Sequence, residues 1–207
     1  MARYKNGING VFTGKVGAVV GCVVNGTAYM RGKPKPRTGP IGETEQGNRN
    51  KFSTLHDWLQ ILLPILRVGF KNYSQHSYGY NAAKSYNLKH AMENGSVLPE
   101  NIMLSQGKLP MSADLEVTRV DTDTLLFQWD PAYMEGASTK DQIMVLAYHP
   151  ESRTPVYELH GAFRKTGSQE VKIYTEFAGK TIELYAFFIS ADRDSQSDSV
   201  YLGAMDC

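Results

Sequence analysis

The chain has 207 residues, 42% hydrophobic and 21% charged, with a formal net charge of +1; this composition fits a folded globular protein with one good core or two small ones and argues against disorder over most of its length. The near-neutral total hides a split, because residues 1–109 hold 14 Lys and Arg against 5 Asp and Glu, whereas residues 110–207 hold 8 against 16. Halves of opposite sign suit a protein whose front meets a polyanion, or one whose copies pack front to back.

The first forty residues are punctuated by Gly7, Gly10, Gly14, Gly17, Gly21 and Gly26, which bracket short β-branched and aromatic runs. Asn25-Gly26 between two such runs is a strong hairpin signal, so a hairpin is expected over residues 15–31 with its turn there. Val19-Val20-Gly21-Cys22 matches the pattern before a lipidated cysteine, but the six residues between Lys15 and Cys22 are too few for a signal core. Next come Arg31, Lys33, Lys35 and Arg37, interleaved with Pro34 and Pro36. The prolines favour an extended, solvated backbone that presents the four cations along one short arm.

From Glu45 the period becomes helical, and Phe52, Leu55, Leu59, Leu62 and Leu66 fall on one face. Arg49 and Lys51 enter this helix on other faces. Pro64 removes a backbone donor inside the run, so the helix should kink or end there. The strongly apolar stretch 58–70 is broken by Gln60, Pro64, Arg67 and Gly69 and falls short of the roughly 20 apolar residues that a membrane-spanning helix needs. A second helix is expected over 81–93, capped by Asn81 and stopped at Asn94-Gly95.

After Pro110 the pattern is all-β. Strand-like runs occur at 114–120, 124–129, 142–148, 155–160, 170–175, 181–190 and 199–202, separated by turn-rich pieces. Seven short strands in this span read as a β-sandwich. Leu125, Phe127 and Trp129 alternate with Leu126 and Gln128, so Trp129 is expected between the two sheets. The expected fold class is therefore an α+β N-terminal region, residues 1–109, followed by an all-β fibronectin- or immunoglobulin-like sandwich, residues 110–207.

Several segments combine into a more specific pattern: Gly14-Lys15-Val16-Gly17 with Val19-Val20-Gly21, Tyr29-Met30-Arg31, the helix at Phe52, Arg67-Val68-Gly69-Phe70, Asn81-Ala82-Ala83, Ser85-Tyr86-Asn87-Leu88, Ser105-Gln106-Gly107-Lys108-Leu109 and the closing Ser197-Asp198-Ser199-Val200-Tyr201-Leu202-Gly203. In these the chain resembles an uncharacterised protein family of the Bacteroidota, known only as a domain of unknown function, over nearly its whole length. The resemblance implies no activity for any residue. The C-terminal half also resembles a fibronectin type III module through Trp129, the strand with Tyr148 and the paired final strands. It departs from such modules after Gly179, where Lys180, Thr181 and Ile182 stand in place of a tyrosine corner.

Motifs that carry chemistry are sparse. Gly10 to Lys15 lacks the spacing and the hydroxyl residue of a phosphate-binding loop, and the five histidines, His56, His76, His90, His149 and His160, show no metal-ligand spacing. Asp192, Asp194 and Asp198 lie in a turn without the glycine and glutamate of a calcium loop. Cys22 and Cys207 form no paired motif, and no nucleophile elbow occurs. No catalytic residue, cofactor, metal or small-molecule substrate is expected, and the chain reads as a non-enzyme.

The feature with most functional content is the basic segment. Arg31, Lys33, Lys35, Arg37, Arg49 and Lys51 form the expected partner-binding set. The reading they favour is a structural or interaction protein of the virion or surface-layer type, cytoplasmic or virion-associated, whose partners are further copies or other structural subunits. The alternative is a nucleic-acid-binding protein in which these cations meet phosphates while Tyr73, Tyr78, Tyr80 and Tyr86 stack on bases.

Overall fold

The structure, a computed structural model, describes residues 2–5, 7, 10–24, 26–73 and 79–207. Asn25, His76 and Tyr78 lie outside the described residues. The chain forms two compact units, Met1–Gly42 and Glu43–Cys207.

The first unit holds four antiparallel strands in the order β1 (Arg3–Tyr4), β2 (Phe12–Val16), β3 (Val19–Val24) and β4 (Thr27–Gly32). The expected hairpin is the β3–β4 pair, which runs through six consecutive partners from Val19 with Gly32 to Val24 with Thr27. Gly17 and Gly26, at φ +56° and +79°, supply the left-handed conformation that the tight connections need. Gly21 is required for another reason: a Cβ there would lie 2.3 Å from the carbonyl oxygen of Phe12. Val20 is the one buried hydrophobic side chain among the described residues of this unit.

The second unit begins with helix α1 (Glu43–Leu59), whose first-turn acids Glu43 and Glu45 suit the positive end of the helix dipole. A 3-10 turn at Gln60–Leu62 follows, then α2 (Leu63–Gly69) with Pro64 in its first turn, where a missing N–H costs no hydrogen bond. The break expected at Pro64 is therefore made just ahead of it. Leu55, Leu59, Leu62 and Leu66 are fully buried, joined by Trp58, Ile65 and Phe70, while Phe52 is 48% exposed. The buried stripe thus centres on Leu55, Trp58, Leu59 and Leu62, and Phe52 lies off it.

Helix α3 (Gly79–His90) starts two residues before Asn81 and ends before Met92. Asn94 and Gly95, both at positive φ, do not stop this helix. They turn a small hairpin between β5 (Met92–Glu93) and β6 (Ser96–Val97), as an Asn-Gly pair does when its flanks are extended.

All seven C-terminal strands form: β7 (Glu116–Asp121), β8 (Thr124–Gln128), β9 (Gln142–His149), β10 (Thr154–Glu158), β11 (Ser168–Lys172), β12 (Thr181–Ile189) and β13 (Val200–Asp206). They pair as a three-stranded sheet, β11-β8-β7, and a four-stranded sheet, β10-β9-β12-β13. One core lies between the sheets. Trp129 is 4% exposed there, with its ring centre 5.6 Å from that of Phe188. The fold class is α+β with a β-sandwich portion, as the sequence pattern suggests.

The four-stranded sheet is buried on both faces. Ile143, Val145 and Ala147 of β9 and Leu184, Ala186 and Phe188 of β12 enter the core between the sheets. Met144, Leu146, Tyr148, Tyr185, Phe187 and Ile189 point the other way, into a second core shared with the helices. Trp58 stands edge-on to Tyr148 and Tyr185, with ring centres 4.7 and 6.4 Å apart. The unit is a stack of helices, four-stranded sheet and three-stranded sheet, and the expected boundary at 109/110 falls inside it.

The segment that leads from the helices to the sandwich is hydrogen-bonded along its length. Buried Asn87 accepts from Met103 N–H at 2.8 Å and donates to Met103 C=O at 2.9 Å. The Ser105 hydroxyl lies 3.1 Å from the Gly69 carbonyl and 2.7 Å from that of Ser197. A Cβ on Gly69 would approach the Leu104 carbonyl to 2.1 Å, so glycine is what lets α2 meet this segment.

Candidate functional site

Charge follows the two units more sharply than it follows the halves of the sequence. The first unit has seven Lys and Arg and no Asp or Glu, net +7; the second has 15 against 21, net −6. A field of one sign over 42 residues arises because no carboxylate is interspersed among the cations.

Strand register sorts the side chains of the first unit. Lys15, Val20 and Arg31 are cross-strand partners in one row, and Cys22 and Tyr29 form the next on that face. The opposite face carries Val16, Val19, Val23, Ala28 and Met30 and no charge. Among these, Met30 is 70% exposed, and Val16 and Val23 are each 47% exposed. Every residue of β4 is exposed. One surface of the sheet is therefore basic around an aromatic ring, the other is apolar, and β4 forms an open edge.

Four of the six expected partner-binding cations lie in this unit. Arg31 sits on β4, and the arm leaves from there with Lys33, whose N–H donates to the Ala18 carbonyl at 2.7 Å and closes the sheet. Residues 33–42 are exposed and lack regular structure. Arg37 does not project freely: its Nε and Nη2 donate to the carbonyls of Gly39 and Pro40, each at 2.9 Å, and curl the arm around its own guanidinium. Lys35 is exposed.

Arg49 and Lys51 belong to the second unit, on α1. Arg49 pairs with Glu45 one turn earlier at 2.8 Å, an exposed helix pair that offsets its charge locally. Lys51 is exposed.

Three of the four tyrosines, Tyr73, Tyr80 and Tyr86, lie among the described residues and pack on neighbouring side chains. Tyr73 packs on Phe70 and on Tyr86, with ring centres 5.4 and 6.2 Å apart, and Tyr86 lies 4.5 Å from the His90 ring. Tyr80 Oη is 2.8 Å from His56 Nδ1, and the Lys84 ammonium, 3.1 Å from that nitrogen, sits 4.2 Å from the centre of the Phe52 ring. Partial burial lowers the Lys84 pKa and raises that of Tyr80. Phe52, off the buried stripe, packs in this cluster, which the sequence did not single out.

The acids of the 192–198 turn have structural duties. Asp192 accepts from the Ser190 hydroxyl at 2.5 Å and from Asp194 N–H at 3.0 Å, and these bonds hold its carboxyl below the ordinary carboxylate range. Asp194 pairs with Lys71 at 3.1 Å, and Asp198 accepts from Gly107 N–H at 2.9 Å. Of the other histidines, His149 Nδ1 lies 2.6 Å from the Ser152 hydroxyl, and His160 contacts Arg193. No helix among the described residues is long and apolar enough to cross a membrane.

The chain belongs to a family of unknown function (DUF6266), which matches residues 11–203. No curated protein matches it.

Proposed function

We propose that this member of a family of unknown function is a non-enzymatic structural protein that builds a homo-oligomer or larger assembly, with the basic first unit of one copy docking on the acidic second unit of another. The observation that carries this reading is the first unit itself: net +7 with no acid, four strands, one buried hydrophobic side chain among its described residues, and an apolar sheet face exposed beside a basic one. So little internal core fits a module that is completed by a partner. The net −6 of the second unit makes a further copy the electrostatically matched choice. The family match spans the 42/43 boundary, so the two units belong to one family pattern. The virion or surface-layer type of assembly is the one we favour, because β-sandwich modules commonly present surfaces to partners and the exposed arm at residues 33–42 can reach a neighbour.

The test is sedimentation of the purified chain over a range of concentration and salt. Self-association that strengthens with concentration, weakens with salt and carries a protein-only absorbance ratio is expected. A monomer that purifies with high absorbance at 260 nm overturns the proposal in favour of nucleic-acid binding through the same cations.

A further inference from the structure

Sheet edges are where proteins usually defend themselves against unwanted pairing, and the edges of this molecule differ in that respect. In the sandwich, β10 carries Pro155, β13 is interrupted by a register shift opposite Leu184 and Tyr185, and β11 alternates Glu170 and Lys172 on one face. Strand β4 has no proline and no bulge, and its single charge is Arg31. It stands at the end of its sheet with all six residues exposed. An undefended edge of this length is a template for one more strand.

The matching edge is β7. It is the outer strand of the three-stranded sheet, and Asp114, Glu116, Asp121 and Asp123 lie on it or beside it. Its one cation is occupied, since Arg119 donates to the carbonyls of Asp121 and Thr122 at 3.1 and 2.8 Å and folds over the turn. Residues 116–119 keep a regular ladder with β8 before the shift at Val120. Each edge also bears the most exposed large aliphatic side chain of its unit among the described residues, Met30 at 70% and Val120 at 61%. Opposite charge, an available ladder and exposed apolar groups thus coincide on these two strands.

We propose that β4 of one copy adds to the β7 edge of a second copy, extending its three-stranded sheet by one strand and setting Arg31 and the arm cations against the acids around β7. This rests on the assembly reading above and specifies its contact. The contact is heterologous, head to tail, so a pair of copies keeps one free β4 at one end and one free β7 at the other, and the assembly grows as a chain or closes as a ring.

Two variants test it, Met30→Ser/Arg31→Ser on the donor edge, which removes its apolar group and its cation without making it acidic, and Glu116→Lys/Val120→Lys on the acceptor edge, so that the two altered edges do not complement each other. All four side chains are exposed, and each variant's melting curve serves as the control for folding. If the contact is as proposed, each variant alone is monomeric in sedimentation, with self-association weakened at least tenfold. An equimolar mixture forms a 1:1 dimer that grows no further, because the acceptor variant still has a native β4 and the donor variant a native β7. If the unaltered chain self-associates but either folded variant associates as it does, or the mixture stays monomeric, the β4–β7 contact is wrong while the assembly reading stands. An unaltered chain that is monomeric at all concentrations removes both.

Discussion

Strand β4 has six residues, all exposed, whereas β9 has eight, of which seven are buried. Thr27 and Tyr29 are the strand formers of β4, and Ile143, Val145 and Tyr148 those of β9, a modest difference in propensity that does not account for full exposure against near-full burial. Their neighbours do. β9 lies between β10 and β12, with a helical layer on one face and a second sheet on the other, so each side chain in turn enters one of two cores. β4 has a neighbour on one edge, and its residues face solvent. At about 25 cal/mol per Å² of apolar area removed from water, burial is the main source of stability for the second unit. The first unit relies on its hydrogen-bonded ladder and well-placed glycines, which makes it the region that opens first.

The largest effect that would break this comparison comes from cutting the second unit. A fragment of residues 110–207 keeps all seven sandwich strands but uncovers Met144, Leu146, Tyr148, Tyr185, Phe187 and Ile189. It should be aggregated or molten, without a cooperative melt, whereas residues 43–207 should melt as the full chain does. A sharp transition in the shorter fragment would show that the helical layer is dispensable.

Next in size is the buried ion pair that closes the sandwich. Arg164 and Asp141 side chains are 3% and 2% exposed, with Nε and Oδ2 3.4 Å apart. The guanidinium also donates to the Ser112 hydroxyl at 2.6 Å and to the Pro110 carbonyl at 2.7 Å, and it lies 3.9 Å from the Phe188 ring centre. Arg164→Leu leaves the Asp141 charge buried without its partner, so denaturant melts should show a loss of about 3–5 kcal/mol. The Arg164→Leu/Asp141→Asn pair should recover part of it. In the second core, Leu59→Ala should cost about 2–5 kcal/mol, because Leu59 is fully buried in the layer that covers β9 and β12.

How much of this was legible in the sequence depends on the period of each pattern. The seven sandwich strands, Trp129 between the sheets, the β3–β4 hairpin and the break near Pro64 all follow from alternation, turn residues and proline chemistry. The shared core does not follow from alternation, yet a signal for it was present: residues 143–148 and 182–189 are continuous apolar runs broken only by Glu183. Such runs mark strands covered on both faces, so a second layer had to exist. The unit boundary also had a trace, since no acidic residue precedes Glu43. Among the site residues, the cations could be read as a set, but the curl of the arm around Arg37 and the Glu45–Arg49 pair depend on side-chain geometry. Asn94-Gly95 fits a helix stop in the sequence and a hairpin turn in the structure because both features use the same residues.

A pH titration sharpens the contrast at an intermediate size. Burial pushes the Tyr148 phenol up to about 12, and burial raises Tyr185 and Tyr201 as well, with Glu183 adding to both shifts. In the unfolded chain a tyrosine ionises near pH 10. The stabilisation that these groups contribute is complete below about pH 10 and is lost as pH rises toward and beyond about 12, by about 2–3 kcal/mol for Tyr148 alone. Unfolding of the second unit followed at 295 nm should therefore release phenolate cooperatively. The Tyr148 hydroxyl is buried with no hydrogen-bond partner among the described residues, so Tyr148→Phe should leave neutral-pH stability nearly unchanged and move the alkaline transition upward. If phenols ionise smoothly near pH 10 while the fold persists, the tyrosines are not held in the core.

The smallest expected effect on stability belongs to Met30, and it bears most directly on what the first unit is for. Met30 is 70% exposed on β4 and partners Gly21 across the ladder, so Met30→Ser removes little buried area and should change the melt by no more than about 0.5 kcal/mol. A solvated strand would lose nothing else. A strand that meets a partner would lose association at unchanged stability, because an apolar group that pays no part in holding the monomer together can still exclude water from an interface. Sedimentation and melting on the same Met30→Ser sample separate the two cases. Weaker self-association with an unaltered melt identifies β4 as a contact strand; a loss of stability above about 1 kcal/mol would mean instead that Met30 helps to hold the monomer together.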